Sequence, residues 1–561
     1  MTESENGARP TVRPSDEQPP LPRERFLVEE RPDAEAVPMD VLFVGGGPAG
    51  LSGAIELARL VRRDAEAGGG LGQLEIGVLE KAAQLGEHSL SGAVVNPSGF
   101  KELFPELSLQ DLPLRRPVTK ESVYVLSAGR SVRIPTPPTM KNHGNWIASL
   151  CEIVRWLGQK AEERGVTLLP GFPVDSLLIE GTRVVGVRTT PSGLGRDGRP
   201  ASAEAMPATD LTARVTVLSE GTRGPLSQAW LDWQDVRSAN PQIYALGVKE
   251  LWRVGRPLDG IAHTMGWPLP SDAFGGSFMY PMADDLVALG LVVGLDYADA
   301  RFDVHEALQR LKLHPLVRPH LEGGELVEWG AKTIPEGGYY AVPERRHGDG
   351  LLIVGDAAGY VEVSSLKGIH YAMLSGIAAA RQIFAALKAD DTSETGLAGY
   401  TTAMDAGPIM RDLRERRNMR LAFKSGFVAG GLKAGLMTLT KGSFPGGRIA
   451  SEDDAARPKR LDAAREPFVP DGKLTFSKVD AVFKSGNQTR DDIPSHLVRA
   501  ESVSAEVAEL YTHLCPAGVY EWDGSRLVVN APNCVDCKAT DVLGPRWSPR
   551  EGGSGPAYRL M

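Results

Sequence analysis

The sequence has little cysteine and lacks a long apolar run. It contains four cysteines in 561 residues, which excludes a secreted domain held together by disulfides and indicates a reducing compartment. No stretch of about 18 or more uninterrupted apolar residues occurs, so no segment is predicted to span a bilayer. The formal net charge of −9 argues against a nucleic-acid partner.

The first part of the chain also lacks the apolar core of a secretory signal. Residues 1–38 are rich in Pro, Glu and Arg, and this composition predicts a disordered tail. The whole chain, with a hydrophobic fraction of 42%, is long enough for about two to four soluble domains.

A glycine-rich turn follows the first predicted strand of the ordered chain. In "VLFVGGGPAGLSGAIEL" an apolar strand leads into Gly45, Gly47 and Gly50, which form the pattern G-x-G-x-x-G at the start of a helix. The first glycine permits the tight turn, the second lets the backbone approach a pyrophosphate, and the third allows close helix–strand packing. The next strand ends in Glu80, where a carboxylate accepts hydrogen bonds from a ribose. These features predict a dinucleotide-binding site.

A second motif far downstream favours FAD over NAD. "LLIVGDAAGY" gives a strand followed by Gly355 and Asp356, and a turn containing Gly368 leads into a helix of small residues. In flavoproteins the carboxylate of this motif binds the ribityl hydroxyls, and the helix N-terminus favours negative charge on the flavin ring. A third strand, before Glu220 and Gly221, resembles the closing strand of the same domain. The combined motifs predict bound FAD.

Strands dominate the sequence between these motifs. The segment "VDSLLIEGTRVVGVRTT" is typical of a β-hairpin about Gly181, and a strand-rich block covers roughly 240–335. We therefore expect a discontinuous FAD domain that is interrupted by a β-rich domain.

Several long strings, taken in order, resemble one family. They include "GGGPAGLSGAIEL", "EKAAQLGEHSLSGAVVNP", "KELWRV", "FGGSFMYPM", "HPLVRPHLEGGE", "CPAGVYEW" and "EGGSGPAY". On these strings the chain resembles the electron-transfer flavoprotein–ubiquinone oxidoreductase family from about residue 39 to its end.

The resemblance implies a mixed α+β and α/β fold. It comprises a discontinuous Rossmann-like FAD domain of the two-motif flavoprotein type, a β-rich quinone domain and a C-terminal ferredoxin-like domain. The implied boundaries are 39–120, 145–240 and 335–410 for the FAD domain, 121–144 and 241–334 for the quinone domain, 411–447 for a membrane-contacting segment, and 465–561 for the iron–sulfur domain.

The family's quinone site matches "AFGGSFMYPM". The resemblance places Gly275 and Gly276 against the quinone carbonyls, and Phe274, Phe278 and Met279 are predicted to form apolar walls. Without the resemblance, the two glycines are more typical of a bulge in a strand.

Two segments match the family's membrane-contacting elements. They are "FKELFPELSLQDLPL" and "RLAFKSGFVAGGLKAGLMTLTKG", the second of which follows the basic run "RDLRERRNMR". Lys424 and Lys433 fall on opposite sides of a straight helix, and Gly430 and Gly431 are positions where it could break. The alternatives are shallow membrane insertion and a packed core helix.

The cysteines raise the question of a missing ligand. Cys515, Cys534 and Cys537 match three of the four cysteines that hold the family's cluster, but Thr540 stands where the fourth belongs. Four alternatives remain: a 3Fe-4S cluster, a 4Fe-4S cluster with Asp541, Thr540 or water at the fourth iron, an empty domain, and an error or engineered change in the sequence. Zinc is disfavoured because His513 is the only added candidate. The remaining cysteine, Cys151, lies on an apolar helix face and is predicted to be a buried hydrophobe.

The resemblance implies an electron-transferring-flavoprotein dehydrogenase. It is expected to pass electrons from reduced electron-transfer flavoprotein through FAD and an iron–sulfur cluster to ubiquinone or menaquinone. We expect a monotopic enzyme on the cytoplasmic face of a bacterial inner membrane, and no catalytic side chain, because the cofactor carries the chemistry. Two alternatives are an FAD-dependent reductase or monooxygenase of a lipid-like substrate and a non-catalytic flavin-bearing docking protein.

Overall fold

The computed structural model describes residues 10–365, 367–444, 446–462 and 466–561. Residues 1–9 of the predicted tail and residue 465, where the iron–sulfur domain is predicted to begin, lie outside these ranges. The helices within them are Arg23–Phe26, Pro48–Glu66, Ser98–Leu103, Leu150–Glu162, Pro225–Trp233, Val304–Lys312, Arg318–Leu321, Ile369–Lys388, Glu394–Leu397, Gly399–Ala406, Pro408–Glu415, Met419–Ala422, Phe427–Leu439, Lys478–Lys484, Ala505–Leu514 and Ala539–Leu543.

A six-stranded sheet is built from the segments that carry the two glycine motifs. Its spatial order is Thr167–Pro170, Ile76–Glu80, Val41–Val44, Val215–Leu218, Leu351–Ile353 and His347–Gly348. All strands except the last run parallel. The sequence predicts a closing position for the strand before Glu220, but this strand lies in the middle of the sheet. Because parallel strands end at one edge, the turns after the third and fifth strands lie at the same edge, on either side of the turn after the fourth strand.

Two long helices hold these turns in place. Helix Pro48–Glu66 packs on helix Ile369–Lys388 through glycines. A Cβ atom at Gly376 would lie 2.1 Å from the carbonyl oxygen of Ala49, and one at Gly53 would lie 3.1 Å from the carbonyl oxygen of Gly376. This close approach brings the N-termini of both helices to the same edge of the sheet.

A second sheet contains the predicted hairpin. Its order is Leu27–Val28, Val174–Glu180, Arg183–Thr189, Asp210–Thr212 and Val37–Pro38. The second and third strands pair antiparallel about Gly181, which has a φ of +62°. The prediction of a hairpin is confirmed.

A seven-stranded sheet forms the β-rich part of the chain. Its order is Glu325–Pro335, Tyr244–Arg253, Leu286–Gly294, Gly275–Pro281, Ile261–Gly266, Glu121–Leu126 and Ser131–Ile134. These strands come from two separate stretches of sequence, and two strands of the six-stranded sheet, Thr167–Pro170 and Val215–Leu218, lie between those stretches in the sequence. A separate three-stranded sheet, which is not hydrogen-bonded to the seven-stranded one, consists of Val94–Val95, Trp146–Ile147 and Arg116–Pro117.

The predicted disordered tail is wrong for residues 10–38. Strand Thr11–Val12 pairs with Lys459–Arg460, and Phe26 is completely buried. Arg25 forms an ion pair with Asp175. Composition missed this order because every stabilising partner is distant in the sequence.

The C-terminal region shares a hydrophobic core with the seven-stranded sheet. It adds the paired strands Leu497–Val498 with Arg546–Trp547 and Tyr520–Trp522 with Leu527–Val529. Trp252 and Leu289 of the large sheet belong to the same buried cluster as Tyr511 and Cys515. The C-terminal region is therefore packed directly on the β-rich part of the protein.

The two predicted membrane-contacting segments differ in structure. In the first segment Phe100, Leu103 and Phe104 are buried in the core of the six-stranded sheet, so the prediction is wrong for these side chains. In the second, helix Phe427–Leu439 continues through Gly430 and Gly431 without a break. No helix among the described residues is long and apolar enough to cross a membrane.

Candidate functional site

The first glycine motif divides its roles among three positions. A Cβ atom at Gly45 would lie 2.4 Å from the carbonyl oxygen of Ser219, and one at Gly50 would lie 2.2 Å from that of Gly45. Gly47 instead faces open space and caps the N-terminus of helix Pro48–Glu66. The outer glycines thus permit close packing, and the middle one leaves the helix N-terminus open to an anionic group.

Glu80 lies at the end of its strand, as predicted. Its Oε2 atom accepts a hydrogen bond from the backbone N–H of Gly46 at 2.9 Å, and its Oε1 atom accepts one from Ala82 at 2.9 Å. Each carboxylate oxygen has a second lone pair. The side chain is therefore held in place and can still accept a hydroxyl group.

The second motif lines the same cavity as Gly47. Gly355, Asp356 and Gly368 all border this cavity, and Gly368 precedes helix Ile369–Lys388. Burial raises the pKa of Asp356 to about 6, against the opposing effects of the Lys332 charge and a hydrogen bond from Thr222. Two helix N-termini and a buried carboxylate thus converge, and this donor set fits the pyrophosphate and ribityl chain of FAD.

Sequence reasoning missed a lysine in this cavity. Lys249 lines the cavity from strand Tyr244–Arg253, and its Nζ atom has no hydrogen-bond partner among the described residues. Burial lowers its pKa to about 8. The sequence feature that could have indicated it is a lysine directly after the apolar residues of "ALGV" within "ALGVKELW".

Gly275 and Gly276 line a second cavity, of about 1410 Å³. Their strand pairs with Leu286–Gly294 in continuous register, so the alternative of a bulge is wrong. A Cβ atom at Gly275 would lie 2.1 Å from the carbonyl oxygen of Val292, and one at Gly276 would lie 2.3 Å from that of Thr264. Side chains here would break the sheet pairing at the cavity wall.

The aromatic walls of this cavity agree only partly with the prediction. Phe274 and Phe278 line the cavity, but Met279 lies in the hydrophobic core behind the sheet. Successive side chains of a strand point to opposite faces, so Phe278 and Met279 cannot both face the cavity.

The two cavities adjoin each other. They share the lining residues His263, Phe278, Val292, Glu336 and Val363. A molecule in the second cavity that contacts these shared residues therefore lies within a side chain's width of the first cavity.

Helix Phe427–Leu439 closes the outer side of the second cavity. Gly431, Leu432, Gly435 and Thr438 line it. The basic run before this helix is partly internal, because Arg420 is buried and forms ion pairs with Asp296 and Glu336. The cavity is thus bounded by charged groups at one side and by an apolar helix at the other.

The cysteines of the C-terminal region are all buried. Burial and the charges of the other two thiols raise the pKa of Cys537 well above its ordinary value. Three buried thiols that interact electrostatically fit a cluster whose metal charge stabilises them as thiolates. Cys151 is completely buried elsewhere, with its thiol 3.1 Å from the carbonyl oxygen of Ser89, as predicted for a structural cysteine.

The two oxygen ligands considered for a fourth iron lie in different surroundings. Thr540 is buried and contacts the hydroxyl of Tyr520. Burial raises the pKa of Tyr520, and the contact with Thr540 opposes this shift. Asp541 accepts hydrogen bonds from the Arg223 guanidinium and, at 2.9 Å, from the backbone N–H of Trp547. Both oxygens of the Asp541 carboxylate therefore have a protein partner, and one of these partners is the charged guanidinium of Arg223. His513 faces Asp303 at 3.9 Å and adds no support for zinc.

One strand joins the cysteine loop to the first cavity. The backbone N–H and the hydroxyl of Thr333 both donate to the carbonyl oxygen of Cys537, at 3.0 and 2.9 Å. The neighbouring Lys332 lines the first cavity and lies 3.4 Å from the carbonyl oxygen of Asp536. Strand Glu325–Pro335 thus provides a short bonded connection between the two sites.

The fold and these sites define a Rossmann-like, FAD-dependent oxidoreductase. Family models agree: that for ETF-QO, ubiquinone-binding, matches residues 244–334, and that for electron transfer flavoprotein-ubiquinone oxidoreductase, 4Fe-4S, matches residues 472–559. The mitochondrial electron transfer flavoprotein-ubiquinone oxidoreductase of Oryza sativa subsp. japonica is 36% identical over 552 residues, which cover 94% of each chain. That of Homo sapiens is 36% identical over 560 residues, 93% of this chain and 89% of that one. The chain belongs to the electron transfer flavoprotein–ubiquinone oxidoreductase family.

A solved structure supports the fold alone. A geranylgeranyl bacteriochlorophyll reductase-like protein from Thermoplasma acidophilum matches with a TM-score of 0.56 and 18% identity, over 72% of this chain and 92% of that one. The shared fold covers most of the chain.

Proposed function

We propose that this chain oxidises reduced electron-transfer flavoprotein and passes the electrons through FAD and an iron–sulfur cluster to ubiquinone at a membrane surface. The observation that carries this proposal is the direct contact between the cavity of the two glycine motifs and the cavity of Gly275 and Gly276. Membership of the family names the donor and the acceptor.

FAD is held, in this proposal, by the residues of the two glycine motifs. Gly47 and the helix that follows it face the pyrophosphate. Glu80 accepts hydrogen bonds from the ribose hydroxyls, and Asp356 accepts them from the ribityl hydroxyls. Gly355 and Gly368 keep the backbone close to the cofactor. The bound flavin supplies the exchange of one or two electrons.

The cluster is proposed to be of the 3Fe-4S type, with Cys515, Cys534 and Cys537 as its ligands. Support comes from Thr540, which replaces the fourth thiolate, and from Asp541, whose carboxylate is occupied by Arg223 and Trp547. Soft thiolate sites are poorly matched by hard oxygen ligands. The cluster then serves as a one-electron relay, and strand Glu325–Pro335 links it to the flavin.

The quinone ring is proposed to lie against Gly275 and Gly276. The cavity of about 1410 Å³ exceeds the roughly 300–1,000 Å³ of ordinary ligand sites, which leaves room for the ring and part of an isoprenoid tail. Ubiquinone is the acceptor that the family indicates, and menaquinone remains a prediction.

Membrane attachment is proposed to occur through helix Phe427–Leu439. Leu432, Leu436 and Leu439 are 74%, 43% and 83% exposed, on a helix that also walls the quinone cavity. Exposed leucines of this kind favour insertion into the headgroup region. The relatives are named as mitochondrial, and the cytoplasmic face of a bacterial inner membrane remains a prediction for this chain.

The proposal is tested by an anaerobic assay with the FAD-loaded protein and a short-chain ubiquinone. We expect ubiquinol to form only when reduced electron-transfer flavoprotein is supplied, and not with FAD-depleted protein. Rapid reduction of the flavin by NADPH without a protein partner would favour a reductase or monooxygenase instead. A flavin that no quinone reoxidises would indicate a docking protein.

A further inference from the structure

Residues 416–451, which include helix Phe427–Leu439, contain no acidic side chain. Glu415 and Glu452 mark the two ends of this basic segment, which has seven lysines and arginines. The whole chain, in contrast, has a formal net charge of −9. Charges beyond about 8 Å are largely screened at physiological ionic strength, so the sign of this local region decides which charged surface can approach it.

Two of the seven cations are used inside the protein. Arg420 forms ion pairs with Asp296 and Glu336, and Arg416 forms one with Glu362 at 3.0 Å. The other five have no ion pair within the described part of the chain, and all are exposed except the half-buried first one: Arg417, Lys424, Lys433, Lys441 and Arg448.

A turn before the helix brings Lys424 and Lys433 to the same end of it. The helix begins only at Phe427, after Gly426, whose φ of +88° redirects the chain. The Nζ atom of Lys433 then donates to the hydroxyl of Ser425 at 2.6 Å, next to Lys424 in the sequence. The straight helix that would put the two lysines on opposite sides is therefore not formed.

The remaining cations lie beside the same helix. Lys424 donates to the carbonyl oxygen of Ala450 at 3.0 Å, which brings the loop of Arg448 to the start of the helix. At the other end, a Cβ atom at Gly442 would lie 2.8 Å from the Arg417 guanidinium, so Arg417 lies next to the residue that follows Lys441. Both ends of the helix thus carry unpaired positive charge.

Exposed apolar side chains lie between these two ends. Leu432, Leu436 and Leu439 are exposed, and their spacing of four and three residues puts them on one face of the helix. Phe444, which follows the helix, is also exposed. A leucine face with basic residues around it and no acid is the pattern of a helix that lies in a bilayer interface, where lysines reach the headgroups.

We propose that the basic segment binds anionic phospholipid in preference to neutral phospholipid. This inference rests on the proposed membrane attachment and names the lipid class that it selects. The leucines contribute affinity for any bilayer, and the five unpaired cations contribute the preference for negatively charged headgroups. The remainder of the chain is acidic and is repelled by the same surface, which orients the cavity of Gly275 and Gly276 toward the lipid.

The test is co-sedimentation of the holoenzyme with two kinds of vesicle. One kind is phosphatidylcholine alone, and the other is equal parts of phosphatidylcholine and phosphatidylglycerol. We compare wild type with the triple variant Lys433→Gln, Lys441→Gln and Arg448→Gln, none of which lines either cavity. Each basic residue near an anionic surface contributes about a fivefold increase in partitioning, so the triple variant is expected to lose about 100-fold of its affinity for the mixed vesicles.

The matched control removes three exposed cations outside the basic segment. Arg256, Lys473 and Arg499 are exposed and have no ion pair within the part of the chain that the structure describes. Their replacement by Gln changes the net charge equally and is expected to leave the lipid preference as in wild type. Both triple variants are expected to keep wild-type binding to phosphatidylcholine and a wild-type rate with a soluble short-chain ubiquinone. High salt is expected to abolish the wild-type preference by screening.

The outcomes separate the lipid preference from membrane attachment itself. Equal wild-type binding to both kinds of vesicle, or an undiminished preference in the Lys433, Lys441 and Arg448 variant, would overturn the inference. If that variant instead keeps its preference and needs more electron-transfer flavoprotein to reach half its maximal rate, the basic segment contacts the protein donor and the inference is wrong. A wild-type protein that binds neither kind of vesicle would overturn the proposed membrane attachment.

Discussion

At the scale of single residues, two buried side chains lie at the proposed cofactor sites. Asp356 is a carboxylate whose pKa is raised to about 6 by burial, and it borders the cavity proposed for FAD. Thr540 is a buried hydroxyl at the predicted position of the fourth thiolate, three residues after Cys537 in helix Ala539–Leu543. Each residue allows a substitution with an effect specific to its site.

The pH dependence of FAD binding is expected to follow Asp356. Its pKa is 3.8 ordinarily and about 6 in the folded protein without FAD. The folded state thus holds this proton more tightly than the unfolded state does. Asp356 therefore adds to the free energy of unfolding below pH 3.8, and this contribution is lost as the pH rises through about 6. FAD binding has the opposite trend, because the ionised carboxylate is the better acceptor.

The test compares wild type with Asp356→Asn between about pH 4 and about pH 7. The Tm of the FAD-depleted wild type is expected to fall relative to that of the variant as the pH rises, while its affinity for FAD increases. The variant is expected to bind FAD weakly at every pH. Parallel pH profiles for the two proteins would contradict the role of Asp356.

Thr540→Cys is expected to convert the cluster. The wild-type protein, purified anaerobically, is expected to give an EPR signal when oxidised that disappears on reduction, as a 3Fe-4S cluster does. The added thiolate is expected to yield a 4Fe-4S cluster, with a signal only after reduction and more iron per protein. Thr540→Ser is the matched control and is expected to behave as wild type. A wild-type signal that appears only on reduction would mean that a non-cysteine ligand holds a fourth iron.

At the scale of elements, helix Phe427–Leu439 is proposed to have two functions that depend on adjoining parts of its surface. The proposed quinone cavity is lined by Gly431, Leu432, Gly435 and Thr438. The exposed leucines beside them are Leu432, Leu436 and Leu439. In this proposal the mouth of the cavity lies beside the surface from which a lipid-soluble quinone arrives.

Leu436→Glu and Leu439→Glu are therefore expected to weaken binding to phospholipid vesicles. Burial of a leucine contributes about 1.5–3 kcal/mol, so each substitution is expected to reduce partitioning at least about tenfold. Co-sedimentation with vesicles measures the effect. Met206→Glu changes a side chain that is 58% exposed outside this helix and is expected to bind as wild type. Unchanged binding in both helix variants would show that the helix does not contact lipid.

Local patterns predicted most elements that position the flavin site. The turn of Gly45, Gly47 and Gly50 and the hairpin about Gly181 depend on neighbouring residues, so the sequence reveals them. Contacts between distant segments were not predictable: the Arg223–Asp541 pair spans 318 residues. Met279 was assigned to the wrong face although strand alternation excludes it from the cavity.

Other functional groups were missed for a related reason. Lys249 is buried beside a cavity, and its Nζ atom has no hydrogen-bond partner within the part of the chain that the structure describes. Neither property is visible in composition or spacing. A polar residue within an apolar strand is the available sequence signal, and it does not distinguish a cavity from a satisfied core position.

At the scale of the whole molecule, the N-terminal segment ties the cluster region to the rest of the protein. The Nε2 atom of Gln18 lies 3.1, 3.2 and 3.1 Å from the carbonyl oxygens of Asp541, Val542 and Gly544. Glu17 accepts a hydrogen bond from the backbone N–H of Ser504 at 2.7 Å. The segment predicted to be disordered thus stabilises the helix that carries Thr540.

Gln18→Leu is expected to accelerate loss of the cluster. The substitution removes the Gln18 donor from the carbonyl groups of Val542 and Gly544, at a cost of about 1–3 kcal/mol. Decay of the cluster's visible absorbance under air measures the effect. Glu24→Leu places the same side chain at an exposed position of this segment and serves as the control. Equal decay in both variants and wild type would contradict the stabilising role.

The most direct measurement follows both cofactors through one turnover. The oxidised protein is mixed anaerobically with reduced electron-transfer flavoprotein and then with short-chain ubiquinone, while flavin absorbance and the EPR signal of the cluster are recorded. We expect the donor to bleach the flavin and to change the cluster signal, and the quinone to restore both. A flavin that stays oxidised with the reduced donor, or stays reduced after the quinone is added, would contradict this route of electron transfer.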